Sequence, residues 1–418
     1  MSMQTEVTGS NPMRTVLLSA GALLLVVAVV VSPKDAFDAS IQGLDIWWKI
    51  IFPAMLPFLM LSQMLTAFGF TDALGVLLGP LMQRWFRLPG QAGLAIAVGM
   101  CGGFPAGADT AARLVQDRQI TGKQAIVLVA AAHFANPMMI ILVLGAAFLH
   151  LPAAGYFLLM VHWISGWIAA MIAIRLVPGH RKGDAALHHP KTNQRHGLWF
   201  QMMTAAREAQ ARDGRGFGKL LGDTVSHAVQ TLMMTGGYMI GFAVFIRLLG
   251  LYLTPGTSVA LWPAVLELHL GTYHLSQTTW APVIIISLIA AVLGWGGLCS
   301  HLQVSAVLKS AGIAAKTMIY FAGVRLIHAL IAFSLSVFLW APFSRYSTEV
   351  LNTFWPFRNT DVITPTLLPI QSQLDGNHAS VETLWSSFPA VCIGLAMIVA
   401  VMISLSGLTF WFNRRFSR

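Results

Sequence analysis

Residues 99–108 read Gly-Met-Cys-Gly-Gly-Phe-Pro-Ala-Gly-Ala and interrupt an apolar segment that starts near Gln91. Glycine and proline disfavour a continuous helix, yet backbone polar groups inside a membrane must be hydrogen-bonded within the protein. At membrane depth such a break is tolerated only where it is buried in protein or lines a wet cavity. The stretch therefore predicts the tip of a re-entrant hairpin, with Pro105 in the first turn of the returning half-helix.

The composition indicates that this break lies in a membrane protein. Of 418 residues, 56% are hydrophobic and 10% are charged, whereas soluble domains carry about 25% charged residues. Lys and Arg outnumber Asp and Glu by 26 to 16, a net charge of +10, and much of the excess lies between residues 181 and 219. Basic loops of this kind lie on the cytoplasmic side, so the charge favours membrane anchoring over nucleic-acid binding. We predict an all-α polytopic protein in contact with the lipid bilayer.

Apolar runs and polar turns divide the chain into parts. The first run, Val16–Ser32, is expected to be an uncleaved helix, because no signal-peptidase site follows it. The last run, Pro389–Trp411, predicts a final span. With the N-terminus inside, a count of about seven spans conflicts with the basic C-terminal end, and the side of the C-terminus stays open. The predicted units are an N-terminal helix and loop (1–45), a first repeat (46–150), a linking helix with a basic cytosolic loop (151–225), a second repeat (226–342), and a polar loop with a C-terminal helix (343–418).

The repeat rests on a second glycine cluster, Gly294-Trp295-Gly296-Gly297, which resembles Gly99–Gly103. In both halves an apolar segment reaches the cluster, and a small-residue helix, a polar turn and a long apolar helix follow. Two similar halves with Gly/Pro-interrupted segments are typical of two-repeat transporters. The alternative is that the glycines only let helices approach closely. We expect two inverted repeats, each with a re-entrant helical hairpin.

The predicted solute site lies where the hairpin tips meet, because the N–H groups and dipole at a half-helix N-terminus favour anions. Asn136, before Pro137, either satisfies freed backbone groups or faces the solute. Arg325 lies deep in an apolar run and is a candidate counter-charge for an anion. The candidate substrate-binding residues are Gly102, Gly103, Pro105, Gly107, Asn136, Gly296, Gly297, Cys299, Ser300, Gln303 and Arg325.

Three further charged residues are candidates for ion or proton coupling. Asp109 either stabilises a helix N-terminus or binds a proton or cation, and Arg113 lies one helical turn further along. Glu267 lies in an apolar context near His269 and could carry protons, unless the short segment lies at the membrane interface. The three cysteines, Cys101, Cys299 and Cys392, lie in apolar stretches and predict packing rather than disulfides.

At these residues the sequence resembles the YlbJ-type sporulation integral membrane proteins, which carry the nucleoside recognition or Gate domain. The resemblance implies a fold related to concentrative nucleoside carriers, and passage of dipicolinate across the outer forespore membrane. Two positions depart from the family pattern: Asp109 stands where Lys is usual and Cys299 where Ser is usual. The matching stretches are Phe52–Phe58, Phe86–Gly90, Gly102–Ala108, Asn136-Pro137, Val229–Leu232 with Gly236-Gly237, Leu266-Glu267 with Leu270-Gly271, and Gly296–Leu298 with His301 and Gln303.

Three functions follow from these observations as hypotheses. The first is transport of a small organic anion, dipicolinate, by alternating access around two broken-helix hairpins. The second is transport of a nucleoside or another neutral solute, and the third is a non-transporting membrane component of spore assembly. No nucleophile–base constellation, metal motif or phosphate-binding loop stands out, so we expect no enzyme activity, no cofactor and no metal. Association into a homo-oligomer is left open.

Overall fold

The computed structural model describes residues 12–176, 197–254, 261–313 and 317–354. Within these ranges all regular structure is helical, which confirms the predicted class. Residues 177–196, which belong to the predicted linking unit with its basic loop, lie outside the described residues. The predicted final span, Pro389–Trp411, also lies outside them.

Within each described range the connections between helices are short. We number them α1 Pro12–Val31, α2 Pro33–Ala67, α3 Phe70–Leu81, α4 Ala92–Gly102, α5 Ala106–Gln116, α6 Gly122–Ala131, α7 Met139–Phe148, α8 Pro152–Leu176, α9 Leu198–Asp213, α10 Phe217–Tyr252, α11 Leu261–Leu266, α12 Leu268–Ser276, α13 Pro282–Trp295, α14 Gly297–Ser310 and α15 Thr317–Phe354. A π-helical turn, Trp47–Ile51, lies inside α2, and α7 is π-helical throughout.

Five of the described segments are long and apolar enough to cross a membrane: α2, α8, α10, Pro282–Ser310 and Thr317–Ser344. In the most apolar stretches of α2, α10 and α15 only 22%, 22% and 17% of the residues are buried, against 67% in α8 and in Pro282–Ser310. Helices α2, α10 and α15 therefore form the outer, lipid-facing part. Helix α8 and the segment Pro282–Ser310 form the centre. The described part of the first apolar run, Val16–Val31, is a shorter apolar helix, and the count of seven spans stays a prediction.

In two places the chain forms a pair of consecutive short helices in which the second helix folds back on the first. Helices α4 and α5 pack against each other around the break at residues 103–105. Helices α11 and α12 also pack together, with Glu267 between them. These arms of 6 and 9 residues would reach only about 22 Å end to end, which is less than the roughly 30 Å of membrane hydrocarbon.

The second glycine cluster differs from the prediction. Helices α13 and α14 meet at Gly296, but they do not fold back on each other. Each has 14 residues, so together they reach about 42 Å and match an interrupted span rather than a hairpin. Helices α6 and α7, which meet at residues 132–138, hold the corresponding place in the first half.

The order of elements therefore pairs the halves differently from the glycine clusters. In each half a folded-back pair precedes an interrupted helix, and the two breaks are separated by about 30 residues. In this order α4–α5 holds the same place as α11–α12, and α6–α7 holds the same place as α13–α14. The sequence comparison aligned the two glycine clusters, because both kinds of break need glycines where the backbone turns. In the structure the first cluster is the tip of a hairpin, and the second is the break of an interrupted helix.

Candidate solute cavity

All four helix breaks border one cavity of about 110 Å³, which is partly open to the outside. Helices α2 and α10 close it from the sides. The breaks contribute Gly102, Gly103, Phe104, Ala135, Asn136, Glu267, Leu268, His269, Gly296, Cys299, Ser300 and Gln303, and the two long helices contribute Ile51, Met55, Leu59, Thr231, Leu232, Thr235 and Tyr238.

The first hairpin is seated directly on the break of the next helix. A Cβ atom at Gly99 would lie 1.9 Å from the carbonyl oxygen of Ala132, and one at Gly107 would lie 2.4 Å from the same atom. At Gly103, which has φ +80°, a Cβ would lie 2.9 Å from the backbone nitrogen of Asn136. Glycine is required here because backbone meets backbone, and Gly103 also needs a left-handed conformation.

Asn136 holds both breaks together with its side-chain amide. Its Nδ2 donates to the carbonyl oxygens of Cys101 at 3.3 Å and Gly102 at 3.4 Å, and its Oδ1 accepts from the N–H groups of Met138 and Met139 at 2.8 and 3.4 Å. The amide therefore satisfies backbone groups freed at the end of α4 and the start of α7. Of the two alternatives that the sequence left open, these bonds favour the first, although Asn136 also borders the cavity.

Helix α14 begins at the cavity without a side-chain cap. Gly296 has φ +86° and ends α13, and no side chain binds the first N–H groups of α14. Cys299, Ser300 and Gln303 follow on the cavity side of the helix. Ser300 Oγ donates to the carbonyl oxygen of Gly297 at 3.0 Å, and Gln303 Nε2 lies 3.6 Å from Cys299 Sγ.

Glu267 caps the second hairpin and borders the cavity at the same time. Its Oε2 accepts from the N–H of Leu270 at 2.7 Å, and its Oε1 lies 2.8 Å from His269 Nδ1. The carboxylate is 3% exposed, so its charge is compensated by the start of α12 and by the imidazole rather than by water. The Glu267–His269 pair is an acid–base pair at the cavity wall.

Arg325 does not border the cavity. It is 1% exposed and donates from Nη1 to the carbonyl oxygen of His133 at 2.9 Å and from Nη2 to that of Leu293 at 3.3 Å. Both carbonyls lie near the C-terminal ends of half-helices, α6 and α13, where the helix dipole favours a cation. The position of Arg325 fits a connector between the two interrupted helices, not the predicted contact with a solute.

Asp109 and Arg113 lie away from the cavity. Arg113 Nη2 is 2.9 Å from Asp109 Oδ2, and the side chains are 73% and 48% exposed respectively. Asp109 therefore forms no part of the cavity wall, whereas Cys299 borders the cavity directly. Pro105 and Gly107 lie in the hairpin behind the bordering residues, and Gly297 begins α14.

Several cavity residues were not predicted from the sequence. Thr231, Thr235 and Tyr238 follow at helical spacing on one side of α10, and such a polar stripe inside an apolar run is a signal that could have been found. His269, which the sequence analysis names only as a neighbour of Glu267, also borders the cavity. Within the described residues no group of three or more His, Cys, Asp or Glu could hold a metal ion.

Comparison with known proteins covers most of the chain. The family model described as nucleoside recognition, Gate, matches residues 48–152, from the π-helical turn of α2 to the start of α8. The sporulation integral membrane protein YlbJ of Bacillus subtilis (strain 168) is 32% identical over 350 residues, which are 79% of this chain and 84% of that protein. No solved structure matches the chain.

Proposed function

This chain belongs to the family of the sporulation integral membrane protein YlbJ, and on that premise we propose that it is a transporter whose solute binds in the cavity between the four helix breaks. The supporting observation is that the four helix breaks, at residues 103–105, 132–138, 267 and 296, all border the same cavity. Interrupted helices at membrane depth occur where backbone lines a wet cavity. Paired interruptions in two halves are typical of transporter binding sites.

The order of crossings supports inverted repeats in this proposal. A hairpin returns to the side from which it came, so α4–α5 does not cross. Between that hairpin and α11–α12 lie α6–α7, α8, α9 and α10, and we propose that α6–α7, α8 and α10 each cross once and that α9 does not. With an odd number of crossings, the two hairpins enter from opposite sides, as in carriers that alternate access by rocking one repeat against the other.

For the solute we propose a small organic anion, with dipicolinate at the outer forespore membrane as the candidate that the family resemblance implies. The uncapped N-terminus of α14 at the cavity wall supports an anion. The charge of Glu267 is already compensated within the wall. Among the described residues neither Lys nor Arg borders the cavity. We propose that a dianion enters with a proton, which the Glu267–His269 pair carries.

A neutral, nucleoside-like solute is the second candidate. It is favoured by the same absence of Lys and Arg from the cavity wall and by the hydroxyl and amide groups of Thr231, Thr235, Tyr238 and Gln303. These groups suit a solute rich in hydrogen-bonding atoms. A non-transporting role in spore assembly is the remaining rival.

The test is uptake into proteoliposomes of labelled dipicolinate and, separately, of labelled inosine, with and without an imposed pH gradient. The cavity variant Thr235→Val is compared with Thr204→Val on α9, because both hydroxyls donate to the carbonyl four residues earlier, at 3.0 and 2.9 Å. We expect uptake that a proton gradient stimulates, slower in Thr235→Val and unchanged in Thr204→Val.

The outcomes separate the three hypotheses. Uptake of inosine without dipicolinate would replace the first solute by the second. Folded protein that takes up neither solute, in either orientation and with either gradient, would contradict both carrier hypotheses and leave the assembly role.

A further inference from the structure

Two polar side-chain atoms lie close to Gly296, where α13 and α14 meet. A Cβ at Gly296 would lie 2.9 Å from Ser300 Oγ and 3.2 Å from His133 Nε2. Both atoms therefore lie beside the position that the missing side chain leaves. We call the polar corner formed by His133, Gly296 and Ser300 the recess; it adjoins the cavity, which Gly296 and Ser300 border.

His133 differs from the other buried histidines of the described region. His162 accepts from the N–H of Ala135, and His301 and His328 each contact a carbonyl oxygen through one ring nitrogen. His133 is 1% exposed, and neither of its ring nitrogens has a hydrogen-bond partner. A buried polar group without a partner is costly, so it indicates a ligand or water that completes the site.

Aromatic contacts, rather than hydrogen bonds, hold the ring of His133 in place. It stacks on Phe104 with ring centroids 4.6 Å apart and meets the edge of Phe321 at 5.0 Å. The backbone is fixed separately, because the carbonyl oxygen of His133 accepts from Arg325. The ring is thus oriented towards the recess while both nitrogens stay available.

We propose that this recess is a carboxylate subsite of the cavity. One oxygen of a carboxylate accepts from the first N–H groups of α14, which no side chain caps, and the other accepts from His133 in the tautomer that carries its proton on Nε2. The dipole of a 14-residue helix adds to the attraction. Glu267 does not compete, because both of its oxygens are bound to other groups. The assignment rests on the proposed function and adds the chemical group that the site recognises.

The test is equilibrium binding to the purified full-length protein in detergent, with two ligands of the same shape: pyridine-2,6-dicarboxylate and pyridine-2,6-dicarboxamide. The measured quantity is the ratio of their affinities. We expect wild type to prefer the acid, and His133→Phe, which keeps the stacking and removes both nitrogens, to lower the ratio at least about tenfold. The affinity for the diamide should change by no more than about threefold.

His274→Phe is the matched control, because His274 on α12 does not border the cavity and the same substitution there should leave the ratio unchanged. His133→Leu, which also removes both nitrogens, replaces His133→Phe if the larger ring prevents folding, as judged by thermal unfolding. A folded variant with the wild-type ratio overturns the subsite, as does equal binding of the two ligands by wild type, although a carrier of neutral solutes would then still stand. Binding of neither ligand by wild type overturns the subsite and the anion proposal together.

Discussion

Arg325 Nη1 lies 2.9 Å from the carbonyl oxygen of His133, a residue 192 positions earlier in the chain. The same guanidinium reaches the carbonyl of Leu293 through Nη2 at 3.3 Å. One buried cation thus binds the chain just after the end of α6 and in the last turn of α13, beside the two breaks. The two interrupted helices are held in a fixed relation by a residue that does not itself border the cavity.

Replacement of Arg325 should destabilise the protein. Arg325→Ala leaves two buried carbonyls without their partner and opens a cavity at a fully buried side chain, so we expect a loss of about 3 kcal/mol or more in unfolding free energy. Arg325→Lys keeps the charge but has a single donor head, and it should recover part of the loss. Thermal unfolding in detergent is the measurement. Arg113→Ala, which removes an exposed ion pair, should change the stability by less than about 0.5 kcal/mol. Equal effects of the two alanine variants would contradict the connector role.

Two adjacent glycines of α10 offer a matched comparison. A Cβ at Gly236 would lie 2.6 Å from the ring of Trp47, whose Nε1 donates to the carbonyl of Leu232 at 2.8 Å, whereas one at Gly237 meets nothing within 4 Å. Gly236→Ala should therefore cost roughly 1–3 kcal/mol through overpacking. Gly237→Ala should be neutral or stabilise by up to about 1 kcal/mol, since alanine is the better helix former. Unfolding temperatures of the two variants check this, and a reversed order would argue against the packing of α2 on α10.

Asn136→Asp should disrupt both breaks although it changes only one atom. The amide nitrogen donates to two carbonyl oxygens, and a carboxylate oxygen in its place would repel them. We expect a stability loss of about 2–4 kcal/mol, with Asn136→Ala less harmful because it introduces no charge. Unfolding by a chemical denaturant and solute binding should be measured on the same variants. Preserved binding in a folded Asn136→Asp protein would mean that the amide is not needed to join the hairpin to α7.

Cys299 gives a direct probe of the cavity. It borders the cavity and is 6% exposed, whereas Cys101 is half-buried and does not border it. In a variant whose other cysteines are serine, a small polar thiol reagent should modify Cys299 slowly, and a bound solute should slow it at least several-fold further. The single-cysteine variant that retains Cys101 is the control and should show no protection. Equal protection at both positions would indicate a global conformational change rather than occupancy of the cavity.

Several features of the fold could be predicted from the sequence because local chemistry decides them. The glycines and Pro105 at residues 99–107 do not allow a continuous helix, and the structure breaks there. Asn136 before Pro137 marks the next break in the same way. The two inverted repeats stay a prediction, since Gly296 and Gly103 both have positive φ but turn the chain in different settings.

The sequence by itself determined that this is an all-helical membrane protein with interrupted helices, because apolar content, glycine and proline act through neighbouring residues. Only the tertiary structure decided which charges face the cavity. Arg325 and Glu267 both lie in apolar stretches, yet the first binds backbone carbonyls behind the cavity and the second borders it. That difference depends on partners contributed by distant helices, and hydrophobic pattern and spacing along one segment carry no information about them.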